Sequence, residues 1–506
     1  MIQGTQITDS SGSESQPFSM PLWQPVLLAA LAGGMGWGIR GQYGHETGAM
    51  IAGLLVSLVL VFLLCPQAAL LPAARAVAMG TITIGFGGSM TYGQTVGLTH
   101  DAPLIGNWAA LRWGMFGLAI KGGIWIGFAG LFLGMGLGSV RYRAREVLFL
   151  MLAMLALYAF GVWALNRPFD PAHKTLPWIY FSDDWHWEPG ADLKPRRECW
   201  GGLLFALLGA WAWVSAIRRD RLARNLEWWG MVGGALGFPL GQSLQAFHAW
   251  NPELFKTGIW LRLDPVMNWW NWMETTFGAI MGACLGLGLW LNSRHIALPE
   301  NSSSRGNEAH AFTLNEATAT TSTGNSHVTL ALEWVLVSLH VTLLVLAEFG
   351  SVRAISSFYD LGLVLALIPM VAVAGGRWWP FFLVFPITAL PIAGKTIRQL
   401  VYREQAIGLV PGWLLYGILP LVLTILAAIW FAWGSNRELS AGEFARRSLL
   451  ICTWLYFGLN YAFFHFPWPW TTWTSRTPNA LAFTFCAVGL TLATIWISPK
   501  GHRADS

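Results

Sequence analysis

The stretch GGMGWGIRGQ (residues 33–42) closes a long apolar run with the pair Gly-Gln, and two later stretches, GFGGSMTYGQ (85–94) and GGALGFPLGQ (233–242), have the same form. Each begins with a glycine that seven residues separate from Gly-Gln. A histidine follows each pair within six residues, namely His45, His100 and His248. A polar side chain at the same point of three membrane spans costs free energy in each, so its repetition indicates a repeat-built membrane protein whose function lies near these motifs.

Composition places the chain in the membrane. Its 506 residues are 54% hydrophobic and 11% charged, with a mean hydropathy of +0.48, which excludes a soluble protein of this size. A span needs about 20 apolar residues, and the apolar runs predict about 12–14 spans. Alternating ten-residue strand patterns are absent from the sequence, so we predict an all-α, polytopic transmembrane helical bundle. The approximate runs are 22–39, 49–65, 77–98, 113–138, 148–165, 199–217, 228–247, 269–292, 328–347, 358–374, 378–393, 408–433, 448–464 and 480–498.

Basic residues cluster at the ends of the apolar runs, where they set membrane orientation. The clusters after the fourth and sixth runs are Arg141, Arg143 and Arg145, and Arg218, Arg219, Arg221 and Arg224. Both loops are expected in the cytoplasm, which places loop 166–198 outside and both termini inside. The net charge of +5 is explained by these clusters, so we expect the lipid bilayer as partner and no nucleic acid. The predicted localisation is integral and multi-pass, in the plasma or inner membrane.

The N-terminal sequence and the cysteines indicate neither a cleaved signal peptide nor a metal site or disulfide bonds. Residues 1–20 carry no Lys or Arg before the first run, so the basic region of a cleaved signal peptide is missing and the first span is expected to remain. The five cysteines show neither the spacing of a metal site nor a disulfide framework. We therefore predict no metal and no cofactor.

One polar stretch divides the chain. Residues 293–327 include the Ser/Thr-rich sequence ATATTSTGNSH and are predicted to form a flexible linker. The predicted organisation is a polar N-terminal segment (1–21), a repeat-containing unit of about eight spans (22–292), the linker, a second unit of about six spans (328–498) and a tail (499–506). Repeated glycine-rich helix hairpins are expected to build the first unit, because four-residue glycine spacing lets helices approach closely.

The glutamines of the repeated motif are candidate substrate ligands. Gln42, Gln94 and Gln242 are expected to come close together and to line a polar site, since an amide buried in hydrocarbon seeks hydrogen-bond partners. The neighbouring His45, His100 and His248 are assigned to the same site. The alternative is that each glutamine only clips its own hairpin together through an interhelical hydrogen bond.

Charged residues beside these motifs form a second candidate group. Glu46 and Glu274 begin the returning helices of the first and third copies, and Lys121 lies near the equivalent depth of the second. A charge that faces lipid is costly, so we predict that Arg40, Glu46, Lys121 and Glu274 form ion pairs or a proton relay facing the bundle interior. In the alternative interpretation they are ordinary charges in the headgroup layer.

The predicted outer loop contains FSDDWHWEPG (181–190). Trp185 and Trp187 are candidates for stacking on a carbohydrate or a cationic ligand, and we expect them, with Trp178, to pack against the bundle. Asp183, Asp184 and Glu188 are candidates for acid–base catalysis or cation binding. Solvated loops often carry such residues, which is the alternative explanation.

These patterns favour a transporter or permease for a small polar organic solute, such as a sugar or glycan fragment, working by facilitation or ion coupling. A Gly-Lys-Ser/Thr nucleotide-binding motif is absent from the sequence, which excludes an ATP-driven pump formed by this chain alone. The rival is a membrane-embedded transferase, of glycosyl or acyl type, acting on a lipid-linked substrate at the acidic outer loop. Catalysis is the less favoured of the two. A homo-oligomer, or a role as partner subunit of a larger complex, also agrees with the sequence.

Overall fold

The computed structural model describes residues 20–44, 46–297, 330–350, 352, 354–355, 362–434, 439–464 and 472–497. Within these ranges the chain forms helices and only isolated β-bridges, which confirms the predicted all-α bundle. The principal helices are α1 (Trp23–Arg40), α2 (Ala49–Leu64), α3 (Leu70–Thr83), α4 (Gly93–His100), α5 (Trp108–Leu137), α6 (Ala144–Leu165), α7 (Trp200–Ile217), α8 (Arg221–Trp250), α9 (Trp269–Leu291), α10 (Leu330–Glu348), α11 (Gly362–Gly375), α12 (Trp379–Arg403), α13 (Leu409–Gly434), α14 (Ala441–Phe464) and α15 (Thr477–Trp496).

Nine helices in the described part of the chain are long and apolar enough to cross a membrane. They are α3 with its 3-10 extension to Ser89, α5, α6, α7, α9, α10, α12, α13 and α15. Two shorter apolar helices, α2 and α11, lie beside them. The chain is therefore a multi-pass integral membrane protein.

Each predicted apolar run coincides with a helix, except that the run 77–98 is interrupted. Helix α3 ends at Thr83, a 3-10 turn covers Phe86–Ser89, and α4 starts at Gly93. The side chain of Trp125 fills the break, because a Cβ at Gly87 would lie 2.2 Å from its ring, and its indole nitrogen donates to the carbonyl of Ile84. Non-helical backbone at this depth is tolerated when protein groups satisfy it in this way.

In the first half of the chain, two pairs of antiparallel helices cross at glycines. In the α1–α9 crossing, a Cβ added to Gly33 would lie 2.2 Å from the carbonyl oxygen of Gly278. In the α5–α8 crossing, a Cβ added to Gly122 would lie 2.3 Å from the carbonyl oxygen of Gly234. Such contacts bring the helix backbones together, which is a common basis of helix association in lipid. The three Gly-Gln motifs themselves differ locally, and the internal repeat remains a prediction.

The helices that carry Lys121 and Glu274 start in the same way. The side chain of Asn107 accepts from the backbone N–H of Ala110 before α5, and that of Asn268 accepts from Asn271 before α9. A tryptophan follows each asparagine. These caps satisfy N–H groups that the first helical turn leaves without partners and fix where each helix begins.

Helices from both predicted units pack together. Helix α2 is buried at every residue except Met50, and it contacts α1, α3, α9 and α14. Helices α1 and α15 are antiparallel, since Gly38 meets Phe483 and Leu31 meets Gly489, so Trp23 and Trp496 lie at the same end of the bundle. The predicted linker falls mostly, and residues 1–19 and 498–506 entirely, outside the described residues. The division into two units therefore stays a prediction.

Candidate functional site

A partly buried, non-helical segment lies between α1 and α2. Residues 41–48 connect the two helices, and the side chains of Tyr43 and Thr47 are almost completely buried. Gly44 adopts φ +96°, a left-handed conformation that favours glycine. A Cβ at Gly44 would also lie 3.0 Å from the ammonium nitrogen of Lys395. Burial, a left-handed turn and a nearby charge therefore coincide in this segment.

Arg40, the last residue of α1, is buried among aromatic rings. Its side chain is 2% exposed, and its guanidinium donates to the hydroxyl of Tyr92 at 2.8 Å. The guanidinium carbon lies 4.9 Å from the ring centre of Trp37 and 5.5 Å from that of Trp125. Glu274 on α9 is the counter-charge, with 3.6 Å between the closest nitrogen and oxygen. Desolvation strengthens both the cation–π contacts and the ion pair.

Glu274 is held by its own helix. The indole of Trp270 donates to Oε1 at 3.1 Å, and the amide of Asn271 lies 3.3 Å from Oε2. The Asn271 amide also donates to the carbonyl of Gly38 at 2.6 Å, which ties α9 to α1. A Cβ at Gly41 would lie 1.9 Å from Oε2 of Glu274. Glycine in the Gly-Gln pair thus makes room for this carboxylate.

A second ion pair holds the same segment from the other half of the chain. The ammonium group of Lys395 lies 2.9 Å from Oε2 of Glu348 and also donates to the carbonyl of Tyr43. The hydroxyl of Thr47 donates to Oε1 of Glu348 at 2.7 Å. Neither charged residue was predicted as a site residue from the sequence. Lys395 follows an apolar run within a few residues, and this position is a sequence signal for a functional charge.

A small cavity adjoins this segment. It has a volume of about 40 Å³, and Glu46, Thr47 and His340 supply its polar lining. That volume holds a water molecule. His340 is buried and stacks on Trp379, with 5.6 Å between ring centres, and its Nδ1 has no hydrogen-bond partner within the described structure.

Lys121 has a different partner from the predicted relay. Its ammonium group donates to three oxygens, from Glu198 (2.6 Å), Thr91 (2.7 Å) and Thr95 (2.7 Å). The Glu198 carboxylate also accepts from the hydroxyl of Ser182 and the backbone N–H of Phe181. All three ammonium hydrogens are used, so this buried pair fastens loop 166–198 to α5. Glu198, which directly precedes an apolar run, was not predicted as a partner of Lys121 from the sequence.

The four predicted relay residues thus occupy more than one place. Arg40 and Glu274 form a pair, Lys121 pairs with Glu198, and Glu46 lines the small cavity. Whether Arg40, Glu46 and Glu274 act together on a solute stays a prediction.

The glutamines and histidines have separate partners. Gln94 is partly exposed and bonds loop 166–198, donating to the carbonyl of Lys194 and accepting from the N–H of Arg196. Gln242 is buried, and its amide donates to the hydroxyl of Thr99 on α4 at 2.7 Å. Gln42 lies partly exposed in the turn after α1, and His45 lies outside the described residues.

Two of the predicted histidines, His100 and His248, lie on α4 and α8 and contact nearby polar side chains. Nε2 of His100 lies 3.3 Å from the amide of Gln245. Nε2 of His248 lies 2.8 Å from Oδ1 of Asp264, and its ring stacks on Trp269. Gln94 and Gln242 therefore bond elements outside their own hairpins, and solute binding by the glutamines and histidines stays a prediction.

Loop 166–198 is packed in part against the bundle. Trp187 packs against a small apolar cluster that includes Leu98 and Leu104, and Trp185 lies beside the ammonium group of Lys174. The expectation for Trp178 is wrong, since this side chain is 96% exposed. A membrane-facing tryptophan gains little from protein contact, because the interface already suits its ring.

The acidic part of the loop is half-buried. Burial raises the pKa of Asp183 from its ordinary value of 3.8 to about 6, and its Oδ1 is buried with no hydrogen-bond partner among the described residues. Burial also raises the pKa of Asp184, whose Oδ1 accepts from the N–H of His186. Glu188 is partly exposed. Three or more metal-ligating side chains do not come together in the described parts of the chain.

No protein-family model, curated protein or solved structure matches this chain. Function therefore has to be argued from the geometry alone.

Proposed function

We propose that this membrane protein transports a small polar organic solute past the non-helical segment 41–48. The observation that carries the proposal is the contact of that segment, through the buried Tyr43 and Thr47 and through Gly41, with two ion pairs, Arg40–Glu274 and Lys395–Glu348, which come from opposite halves of the chain. Broken backbone flanked by charges is characteristic of transporter binding sites, where freed peptide groups and charged residues meet the solute.

Stability alone gives little reason for these charges. Replacing a buried ion pair with apolar residues is often neutral or stabilising, by about 1–4 kcal/mol, because desolvation offsets the attraction. Two such pairs on one irregular segment therefore favour a role in binding. Glu274 lies 3.6 Å from Arg40, longer than the 2.9 Å between Lys395 and Glu348. The looser pair is the one a solute displaces more readily.

The surroundings of Arg40 suggest the chemistry of the solute. The guanidinium provides hydrogen-bond donors, and Trp37, Tyr92 and Trp125 provide aromatic faces. Donors combined with aromatic faces suit a sugar or glycan fragment, which presents hydroxyl oxygens and C–H faces. Separation and re-pairing of the two ion pairs would link opening of the segment to movement of the halves that carry them.

Uptake into proteoliposomes tests the proposal. A panel of labelled sugars and amino acids is offered to vesicles containing the full chain, the variant Glu274→Gln, or the control Glu253→Gln, which alters an exposed pair with Lys256. We expect saturable uptake of at least one solute with the wild type and the control, and loss of it with Glu274→Gln. Uptake equal to that of empty vesicles for the whole panel, from protein that still unfolds cooperatively, contradicts transport.

One observation favours the rival transferase. Asp183 is half-buried with a pKa near 6 and a carboxylate oxygen that lacks a partner, which suits a general acid or base. The test is transfer from a labelled lipid-linked sugar or acyl donor to a soluble acceptor by the wild type and Asp183→Asn. The transferase is supported if the wild type forms product and Asp183→Asn does not. Equal amounts of product from the two proteins exclude Asp183 as the catalytic group.

A further inference from the structure

A second cavity lies far along the chain from the segment discussed above. It is a groove of about 610 Å³ between α10, α12 and α13, within the roughly 300–1,000 Å³ typical of ligand pockets. Its lining is mainly apolar and includes Val345, Phe349, Leu390, Ile397 and Leu421. Only 22% of the apolar stretch of α10 and 28% of that of α13 is buried inside the protein. The groove therefore opens on the lipid-facing perimeter of the bundle.

One end of the groove is basic. Arg398 and Arg403 lie at the C-terminal end of the spanning helix α12, in a π-helical turn. Arg398 donates to the backbone carbonyl of Glu348 at 2.8 Å, and its guanidinium lies 5.5 Å from the ring centre of Phe349. Neither arginine forms an ion pair with a carboxylate in the described part of the chain. Their positive charge is available to a ligand.

Aromatic groups define the rim beside the arginines. The indole of Trp413 donates to the hydroxyl of Tyr402 at 3.0 Å, and both side chains are about half exposed. Tryptophan and tyrosine occupy the headgroup level of membranes because their rings are apolar and their N–H and O–H groups are polar. The basic end of the groove is thus expected at the depth of lipid phosphates.

We infer that this groove binds one anionic phospholipid, with an acyl chain along the apolar lining and the phosphate at Arg398 and Arg403. A guanidinium can bind a phosphate through two parallel hydrogen bonds. Basic pockets between spanning helices bind anionic headgroups in this manner. A water-soluble anion does not explain the apolar length of the groove, and a zwitterionic lipid does not explain two arginines without carboxylate partners.

Native mass spectrometry of the delipidated full chain tests the assignment. Phosphatidylglycerol and phosphatidylcholine with identical acyl chains are added separately, and inorganic phosphate forms a third arm. We expect at least about tenfold preference for phosphatidylglycerol, and about tenfold weaker binding of it for Arg398→Gln, in line with the loss of a charge-assisted hydrogen bond. Inorganic phosphate is expected to compete only weakly, because it lacks the chain.

Matched variants separate charge from shape. Arg112→Gln removes an exposed arginine near the start of α5 and is the control for Arg398→Gln. Val345→Trp fills the groove from an exposed position on α10, and Val335→Trp places the same ring elsewhere on that helix, outside the groove lining. We expect only the first of each pair of changes, Arg398→Gln and Val345→Trp, to weaken lipid binding.

Three results overturn the inference. Equal binding of the two lipids means that the groove holds ordinary bilayer lipid. Full competition by inorganic phosphate means a site for a soluble anion. Unchanged binding in Val345→Trp means that the lipid lies elsewhere, even if an arginine variant fails to fold. The experiment involves no transport, so its failure and that of the proposed function are distinguishable.

Discussion

The ammonium nitrogen of Lys121 lies 2.6 Å from a carboxylate oxygen of Glu198, and both side chains are buried. Lys121 is in the middle of α5, whereas Glu198 ends the loop that joins α6 to α7. This pair anchors a loop of more than thirty residues to a spanning helix. It explains why a lysine is retained inside an apolar run.

Lys121→Met is expected to destabilise the protein by roughly 3–5 kcal/mol, because Glu198 is left as an uncompensated buried charge. Adding Glu198→Gln is expected to recover part of that loss. Thermal unfolding in detergent at one pH measures both effects. Lys121→Met combined with Glu274→Gln is the control, since these residues belong to different ion pairs, and its effects should add. A Lys121→Met protein as stable as the wild type would show that the pair is not buried.

Gly278→Ala is expected to destabilise the α1–α9 crossing by about 1–3 kcal/mol through overpacking. The added Cβ would lie 2.1 Å from the carbonyl oxygen of Gly33, so the helices must separate. Gly458→Ala on α14 is the matched control, because no described atom outside its own helical turn and chain neighbours lies within 4 Å of its Cβ position. The control is expected to be neutral or slightly stabilising, since alanine favours helix. Equal unfolding temperatures for the two variants would contradict close packing at Gly278.

Tyr92→Phe removes the hydroxyl that accepts from Arg40 at 2.8 Å. We expect a stability loss of about 1.5–3 kcal/mol, as for a hydrogen bond to a charged group, together with reduced uptake of the transported solute. Tyr180→Phe is the control, because it removes a hydrogen bond to the carbonyl of Arg196 within loop 166–198. Uptake is measured per folded molecule. Unaltered uptake with Tyr92→Phe would remove Arg40 from the proposed path.

The Asp183 carboxyl should make stability depend on pH. Its pKa is raised by burial to about 6 in the folded protein, so the folded state holds a proton that the unfolded chain releases near pH 4. Its favourable contribution is complete below about pH 4 and is lost as pH rises through about 6. Asp183→Asn mimics the protonated form and should gain stability relative to the wild type across this interval. Asp192→Asn, in the same loop, is the control for the removal of one carboxylate.

The sequence predicts the positions of the helices well, but it predicts poorly which residues of different helices contact each other. Apolar runs mark helices because lipid requires them, so even the run 148–165 lies within the observed Ala144–Leu165. The break between Thr83 and Gly93 was not predicted, since it depends on Trp125 from a distant helix.

Pairing of charges is a tertiary property. Arg40, Glu46, Lys121 and Glu274 were expected to face the bundle interior because of the cost of facing lipid; Arg40, Lys121 and Glu274 are buried, and Glu46 is half-buried. The partners Glu198, Glu348 and Lys395 were not expected, because they approach from elements remote in sequence. A spacing pattern along one helix contains no information about which distant side chain will meet it.

The enclosure of α2 has a consequence for how the protein is made. Its sequence, AMIAGLLVSLVLVFLL, is apolar on every side, yet in the finished bundle nearly all of it touches protein, including α14 from the far end of the chain. Membrane helices insert first and associate afterwards. During synthesis α2 must therefore lie in lipid while hundreds of later residues are added. Its hydrophobicity keeps α2 stable in lipid until the later helices are made. A polar substitution tolerated in the final packing would still hinder membrane insertion.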